Sequence, residues 1–288
     1  MSPRILPLLF TLVAMTAEAG QVTLVDEGRA ALARGETSAA VAMLEKAVAQ
    51  SPKDPVAHFV LATAYAAAGQ EGGMLGATTF LSKMKAEFEA AIALKPTYVE
   101  ARMGLMQFYV LAPGLFGGSF DKAFDQAKAI KTIDSLAGHR AYAFIYTRQK
   151  KNDLAVREYL DAIREQPKSP KTHDDYALHL AREKNYTDAF TELEKALQLD
   201  PSYAPALYHL GHTAALAGTN LARGEQALKQ YLSYTPKQGE PQLAYAYDAL
   251  GTIQEKQARA TEARASYAAA LKLNPRLRTA AEGLKRLP

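Results

Sequence analysis

The sequence predicts an all-α fold of the solenoid type, and three observations carry the prediction. Five segments end alike: LEKAVAQSP, FEAAIALKP, YLDAIREQP, LEKALQLDP and YAAALKLNP. Within each, small side chains, a large one and a closing proline recur at fixed offsets that fall on one stripe of a helix. A second stripe precedes them across a Gly or Lys-Asn turn, as in YHLGHTAALAG and YDALGTIQEKQ. Each unit is therefore a pair of antiparallel helices whose apolar stripes are hidden only when the next unit stacks on them.

The elements follow in chain order. The closing prolines are Pro52, Pro96, Pro167, Pro201 and Pro275. Five residues before each stands Ala47, Ala91, Ala162, Ala196 or Ala270, and eight before stands Leu44, Phe88, Tyr159, Leu193 or Tyr267. Twelve residues before, alanine recurs at Ala40, Ala155, Ala189 and Ala263, with Met84 at the remaining position. Small residues let a neighbouring helix approach, the large one fills the gap, and proline ends the helix because it cannot donate the next hydrogen bond. The upstream stripe carries its own small residues at Gly28, Ala143, Ala177, Gly211 and Gly251.

This pattern resembles the tetratricopeptide repeat, whose period is 34 residues, the separation of Pro167 and Pro201. The resemblance covers nearly all of residues 20–288. It implies a right-handed superhelix of seven units, approximately 21–54, 55–98, 99–135, 136–169, 170–203, 204–238 and 244–277, with a capping helix over 278–287. Two units depart from the pattern. The third ends in Asp134-Ser135 where Asp-Pro is usual, and the sixth has Gly224 and Tyr231 where alanine is usual.

Two insertions interrupt the period: about ten residues around QEGGMLGATTF and about five around LAPGLFGGSF. Both fall near the turn between the first and second helices of consecutive units, which places them side by side on one edge of the stack. They mix glycine with Met74, Leu75 and Phe80 in one and Leu115, Phe116 and Phe120 in the other. Packing of these side chains on each other seals the edge. The alternative is a docking lip at Leu115 and Phe116.

Composition bounds the chemistry. With 288 residues, 48% hydrophobic and 22% charged, the chain buries a substantial core. It has no cysteine, which removes disulfides, thiolate zinc sites, iron–sulfur clusters and cysteine nucleophiles. A formal charge of +4 without runs of like charge makes no electrostatic case for nucleic acid, which is not an expected partner. Residues 1–19, MSPRILPLLFTLVAMTAEA, read as a signal peptide: Arg4, an apolar stretch from Ile5 to Met15, and Ala17 and Ala19 before the cut. The expectation is an exported protein of a bacterial periplasm with no stable membrane insertion once the leader is removed.

Catalytic grammar is missing. GxxxxGK[ST], HExxH and GxSxG do not occur, and Asp174 and Asp175 are adjacent and point apart on a helix. Ser119 or Asp121 reads as the N-cap of FDKAFDQAKAI. His58, His139 and His173 hold equivalent places early in first helices and read as packing residues. His209 and His212 have ligand spacing but no third donor. No catalytic residue, metal or cofactor is expected, and the chain reads as a binding protein.

The resemblance implies where binding occurs, because in that family the first helices of successive units line a concave groove that holds an extended peptide or a partner helix. The facing residues here are Phe59 and Thr63; Met103 and Gln107; Arg140, Phe144 and Arg148; Lys171 and Arg182; Tyr208 and His212; and Tyr245. Aromatic, amide and arginine groups suit a ligand with apolar side chains and carboxylates. The expected function is a non-enzymatic scaffold or adaptor of the cell envelope for a protein or peptide partner. A small-molecule or glycan-binding protein is the alternative, and an enzyme with an unrecognised site stands behind both.

Overall fold

A computed structural model describes residues 23–288 except Gly72 and Gln238, without side chains for 73–78. The leader expected over residues 1–19 lies outside the described residues, as do the side chains of Met74 and Leu75. The described residues form fifteen α-helices and no strand. They run as seven pairs: α1 (Leu24–Ala33) with α2 (Thr37–Gln50), α3 (Pro55–Glu71) with α4 (Gly73–Leu94), α5 (Val99–Leu111) with α6 (Phe120–Ile133), and α7 (Ser135–Arg148) with α8 (Asn152–Glu165). Then follow α9 (Pro170–Arg182) with α10 (Tyr186–Leu199), α11 (Ala204–Ala217) with α12 (Leu221–Tyr231), and α13 (Leu243–Lys256) with α14 (Ala260–Leu273). A single helix, α15 (Arg278–Arg286), closes the array.

The turn inside a unit is built the same way four times. The second residue past the first helix takes a left-handed conformation at Gly35, Lys150, Lys184 and Ala258. The next amide then reaches back five residues: Glu36 to the Ala31 carbonyl, Lys151 to Tyr146, Asn185 to Leu180 and Arg259 to Gln254, each at 2.8–2.9 Å. This is the Schellman closure, which satisfies orphan carbonyls and reverses the chain. Only glycine adopts its φ without cost, and Ala258 holds φ 60° with a Cβ. Ala258→Gly is expected to stabilise the protein by about 1 kcal/mol, read as a higher unfolding midpoint in urea.

Packing follows the stripes. A Cβ on Gly28 would lie 2.5 Å from Leu44, and one on Gly251 would lie 2.7 Å from Tyr267, so each small residue of a first helix is the socket for the large residue of its own second helix. Ala40, Ala91, Ala155, Ala189, Ala196, Ala263 and Ala270 are fully buried at the contacts the pattern assigns them. Asp134 replaces the missing proline between the third and fourth units. It ends α6 and at once caps α7, its carboxylate accepting from the Ala137 amide at 2.9 Å. Ser119 caps α6 by accepting from the Lys122 amide.

First helices pack on the first helices of neighbouring units at five of the six junctions (α1 on α3, α3 on α5, α5 on α7, α9 on α11, α11 on α13), α7 and α9 instead being joined through α8, whereas among the described residues no two second helices pack to that extent. The stack therefore curves with its first helices on the inside. It turns far enough for its ends to meet: the Arg276 guanidinium, beyond α14, donates to the carbonyl of Gly35, 241 residues earlier.

The insertions take different forms. The first lengthens α3 to Glu71 and extends α4 to 22 residues, and among the described residues these two helices make the most extensive contact. That packing offsets the cost of about 1 kcal/mol for a glycine inside a helix, here Gly76. The second forms a 3-10 turn, Gly114–Phe116, after Pro113. That turn touches α4, so the two insertions are neighbours.

Candidate functional site

The inner face carries a groove across α5, α7 and α9. On α7, Arg140, Phe144 and Arg148 recur every four residues and share one face. With Met103 and Gln107 of α5, and Asp175, Leu178, His179 and Arg182 of α9, they line a hollow of about 390 Å³ that also reaches Tyr159. An adjoining hollow of about 500 Å³ shares Met103, Gln107 and Arg140 and adds Phe59, Thr63 and Lys171. The structure thus brings Phe59, Met103, Gln107, Arg140, Phe144, Arg148 and Arg182 into one continuous trough.

Its charges are unevenly satisfied. Asp175 is shared by Lys171 at 2.9 Å and Arg140 at 3.5 Å. Arg148 and Arg182, both exposed, have no acidic partner among the described residues. Burial, reinforced by Asp175, pushes the Tyr159 phenol up to about 12 against the opposing pull of Arg182 and Arg140, so it remains a neutral donor. The trough offers two uncommitted guanidinium forks over apolar and aromatic surface.

His179 packs against Tyr159 with ring centroids 5.0 Å apart. Burial holds its pKa below the ordinary 6.5, Arg182 adds to that, and Glu183 opposes it. A depressed folded pKa means that stability is fully present above about 6.5 and is lost as pH falls below it. His212 is shifted the same way by burial and by His209. The urea midpoint is expected to fall between pH 7.5 and pH 5.5, and the fall to be smaller in His179→Phe.

The remaining predicted residues lie elsewhere. Tyr208 is 9% exposed and stacks on His212 with centroids 5.6 Å apart, filling the core between α11 and α12 rather than facing the trough. Tyr245 is 42% exposed on α13 and is not among the residues lining either hollow. Leu115 and Phe116 sit on the 3-10 turn, 90% and 39% exposed. Phe80 stacks on Tyr65 with centroids 5.5 Å apart.

A set of half-buried and buried histidine–carboxylate pairs was not read from the sequence. His139 contacts Glu158 at 2.7 Å and Glu165 at 2.9 Å, His173 contacts Glu192 at 2.6 Å, and His58 contacts Glu87 at 2.5 Å. The spacing of 19 residues in His139–Glu158 and His173–Glu192 becomes 29 in the unit with the ten-residue insertion, a recurrence visible in the sequence. Each histidine ties the first helix of a unit to the second. His209 binds Asp174 of the preceding unit at 2.7 Å. Among the described residues, no three His, Asp or Glu side chains converge as metal ligands.

Paired helices repeated around a curved inner wall define a helical repeat scaffold. Models of the tetratricopeptide repeat match residues 31–71, 140–204 and 244–277, and the chain is a tetratricopeptide repeat protein. Such scaffolds are typical of protein–protein and peptide binding and are generally non-catalytic. No curated protein matches the sequence. Among solved structures, a tetratricopeptide repeat protein from Parabacteroides merdae is 15% identical, with a TM-score of 0.50 over 91% of this chain and 96% of its own. The human IFIT1 dimer with PPP-AAAA is 19% identical, with a TM-score of 0.55 over 91% of this chain and 62% of its own. Yeast Tom70 is 15% identical, with a TM-score of 0.50 over 97% of this chain and 65% of its own. The chain thus spans less than two thirds of the last two, and these likenesses show the fold. Among the described residues, no helix is long and apolar enough to cross a membrane.

Proposed function

We propose that the protein is a non-catalytic scaffold that holds an extended, acidic segment of a partner protein in the trough across α5, α7 and α9. The observation that carries this reading is the pair Arg148 and Arg182, exposed and without acidic partners among the described residues, beside Met103, Phe144 and Tyr159. A guanidinium binds a carboxylate through two parallel hydrogen bonds, and apolar neighbours supply contact area. The wall is formed by packed helices before the ligand arrives, so less ordering entropy opposes binding. Glu100 and Asp134 line the end of the trough away from Arg148 and Arg182, so a ligand negative along its whole length, as a nucleic acid is, would be repelled there, whereas a protein segment can confine its acidic block to the two arginines.

Fluorescence anisotropy with labelled peptides of matched apolar content and opposite net charge tests this. The acidic peptide is expected to bind more tightly, and more weakly as salt is raised. Equal affinity for the basic peptide, or tighter binding of a single-stranded oligonucleotide, overturns it. The character of residues 1–19 supports an exported scaffold, for which fractionation of producing cells and mass measurement of the mature N-terminus is the test.

A further inference from the structure

A second cavity lies beside the trough, where the lengthened α3 and α4 overshoot α5. It measures about 590 Å³, and Tyr65, Phe80, Leu81, Met84, Phe108 and Leu111 form much of its wall. That size falls within the range of about 300–1,000 Å³ typical of ligand pockets. None of the described residues that line it is charged. The cavity arises from the first insertion, since α5 stops at Leu111 before Pro113 while α3 and α4 continue past it. The Tyr65 hydroxyl donates to Glu45 at 2.7 Å, which satisfies its polar end and leaves the ring as wall.

Two further observations mark the cavity as a binding surface. Leu111 (54% exposed) lines its mouth, and the chain that leaves it carries Leu115 (90%), Phe116 (39%) and Phe120 (38%), the first two on the 3-10 turn that touches α4. Large side chains left in water that close together mark an interaction surface. The cavity also shares Phe88, Gly104 and Gln107 with the adjoining hollow of the trough, so the two spaces lie side by side along the same inner wall.

We propose that this cavity is an apolar anchor site for the acidic segment held in the trough, taking a block of large apolar side chains, leucine or phenylalanine, that adjoins its acidic block. The assignment rests on the reading of the trough and adds a specificity to it. The uncharged lining admits no carboxylate without leaving it unpaired, whereas Arg148 and Arg182 lie farther along the same wall, so the two blocks must be separate in the ligand.

The test compares two labelled acidic peptides that differ in one block, Leu-Phe-Leu in one and Ser-Ser-Ser in the other, against the full chain. The apolar peptide is expected to bind at least tenfold more tightly. Leu111→Glu is expected to remove that advantage, and Leu115→Glu, at a position too exposed to bear on folding, to reduce it. Equal affinity of the two peptides, with both binding, overturns the anchor site and leaves the trough standing. Binding of neither overturns the reading of the trough and the anchor site with it. An advantage that persists in both variants also overturns the anchor site.

Discussion

Replacing Tyr267 with alanine is expected to destabilise the protein by about 3–5 kcal/mol, the range for removing a buried aromatic ring. The ring is fully buried between Gly251 of α13 and Gly283 of α15, and its hydroxyl donates to Glu255 at 2.6 Å. Two helices approach this closely only because each presents a glycine to the ring, so truncation leaves a cavity that neither glycine can fill. Stability in a repeat array is a sum of unit and neighbour contributions, so the loss should fall on the C-terminal end. Amide hydrogen exchange is expected to show weakened protection in α13–α15 and unchanged protection in α3–α6.

Reversing both free charges of the trough, Arg148→Glu with Arg182→Glu, is expected to weaken binding of an acidic peptide at least thirtyfold, on the order of 2 kcal/mol or more. Both side chains are exposed and neither has an acidic partner among the described residues, so the unfolding midpoint should hardly move. The same double variant should bind the matched basic peptide more tightly than the native protein does. Titration calorimetry with both peptides reads the two effects. Unchanged affinity for the acidic peptide would remove the two arginines from the binding surface.

The repeat was legible because its physics is local. An alanine, a large residue and a proline at fixed offsets report a helix face and its end wherever they occur, and Ala40, Leu44 and Ala47 are buried where the pattern places them. The trough was legible in part for the same reason. Arg140, Phe144 and Arg148 share a face by spacing alone, and the first helix of each unit faces inward. Tyr208 shows the limit, since it also belongs to a first helix, yet its stacking on His212 and contact with Tyr231 hold it in the core. Which side of a helix a ring turns to depends on neighbours that the sequence does not place.

The first insertion shows a second limit. Its position near the turn was legible, but not that its residues lengthen α3 to Glu71 and begin α4 at Gly73, where the extensive contact between the two helices holds them. The cavity at this end depends on where α5 stops relative to α4, a difference in length between units that no single motif records. The His–Glu pairs were within reach of the sequence, because their spacing recurs, but they require comparison between first and second helices instead of within one stripe.

Hydrogen exchange of the native chain with and without a saturating acidic peptide tests the central claim most directly. The account predicts slowed exchange along α5, α7 and α9, on the inner wall, with α6, α8 and α10 unchanged. Protection confined to those outer helices, or to the ends of the array, would contradict it.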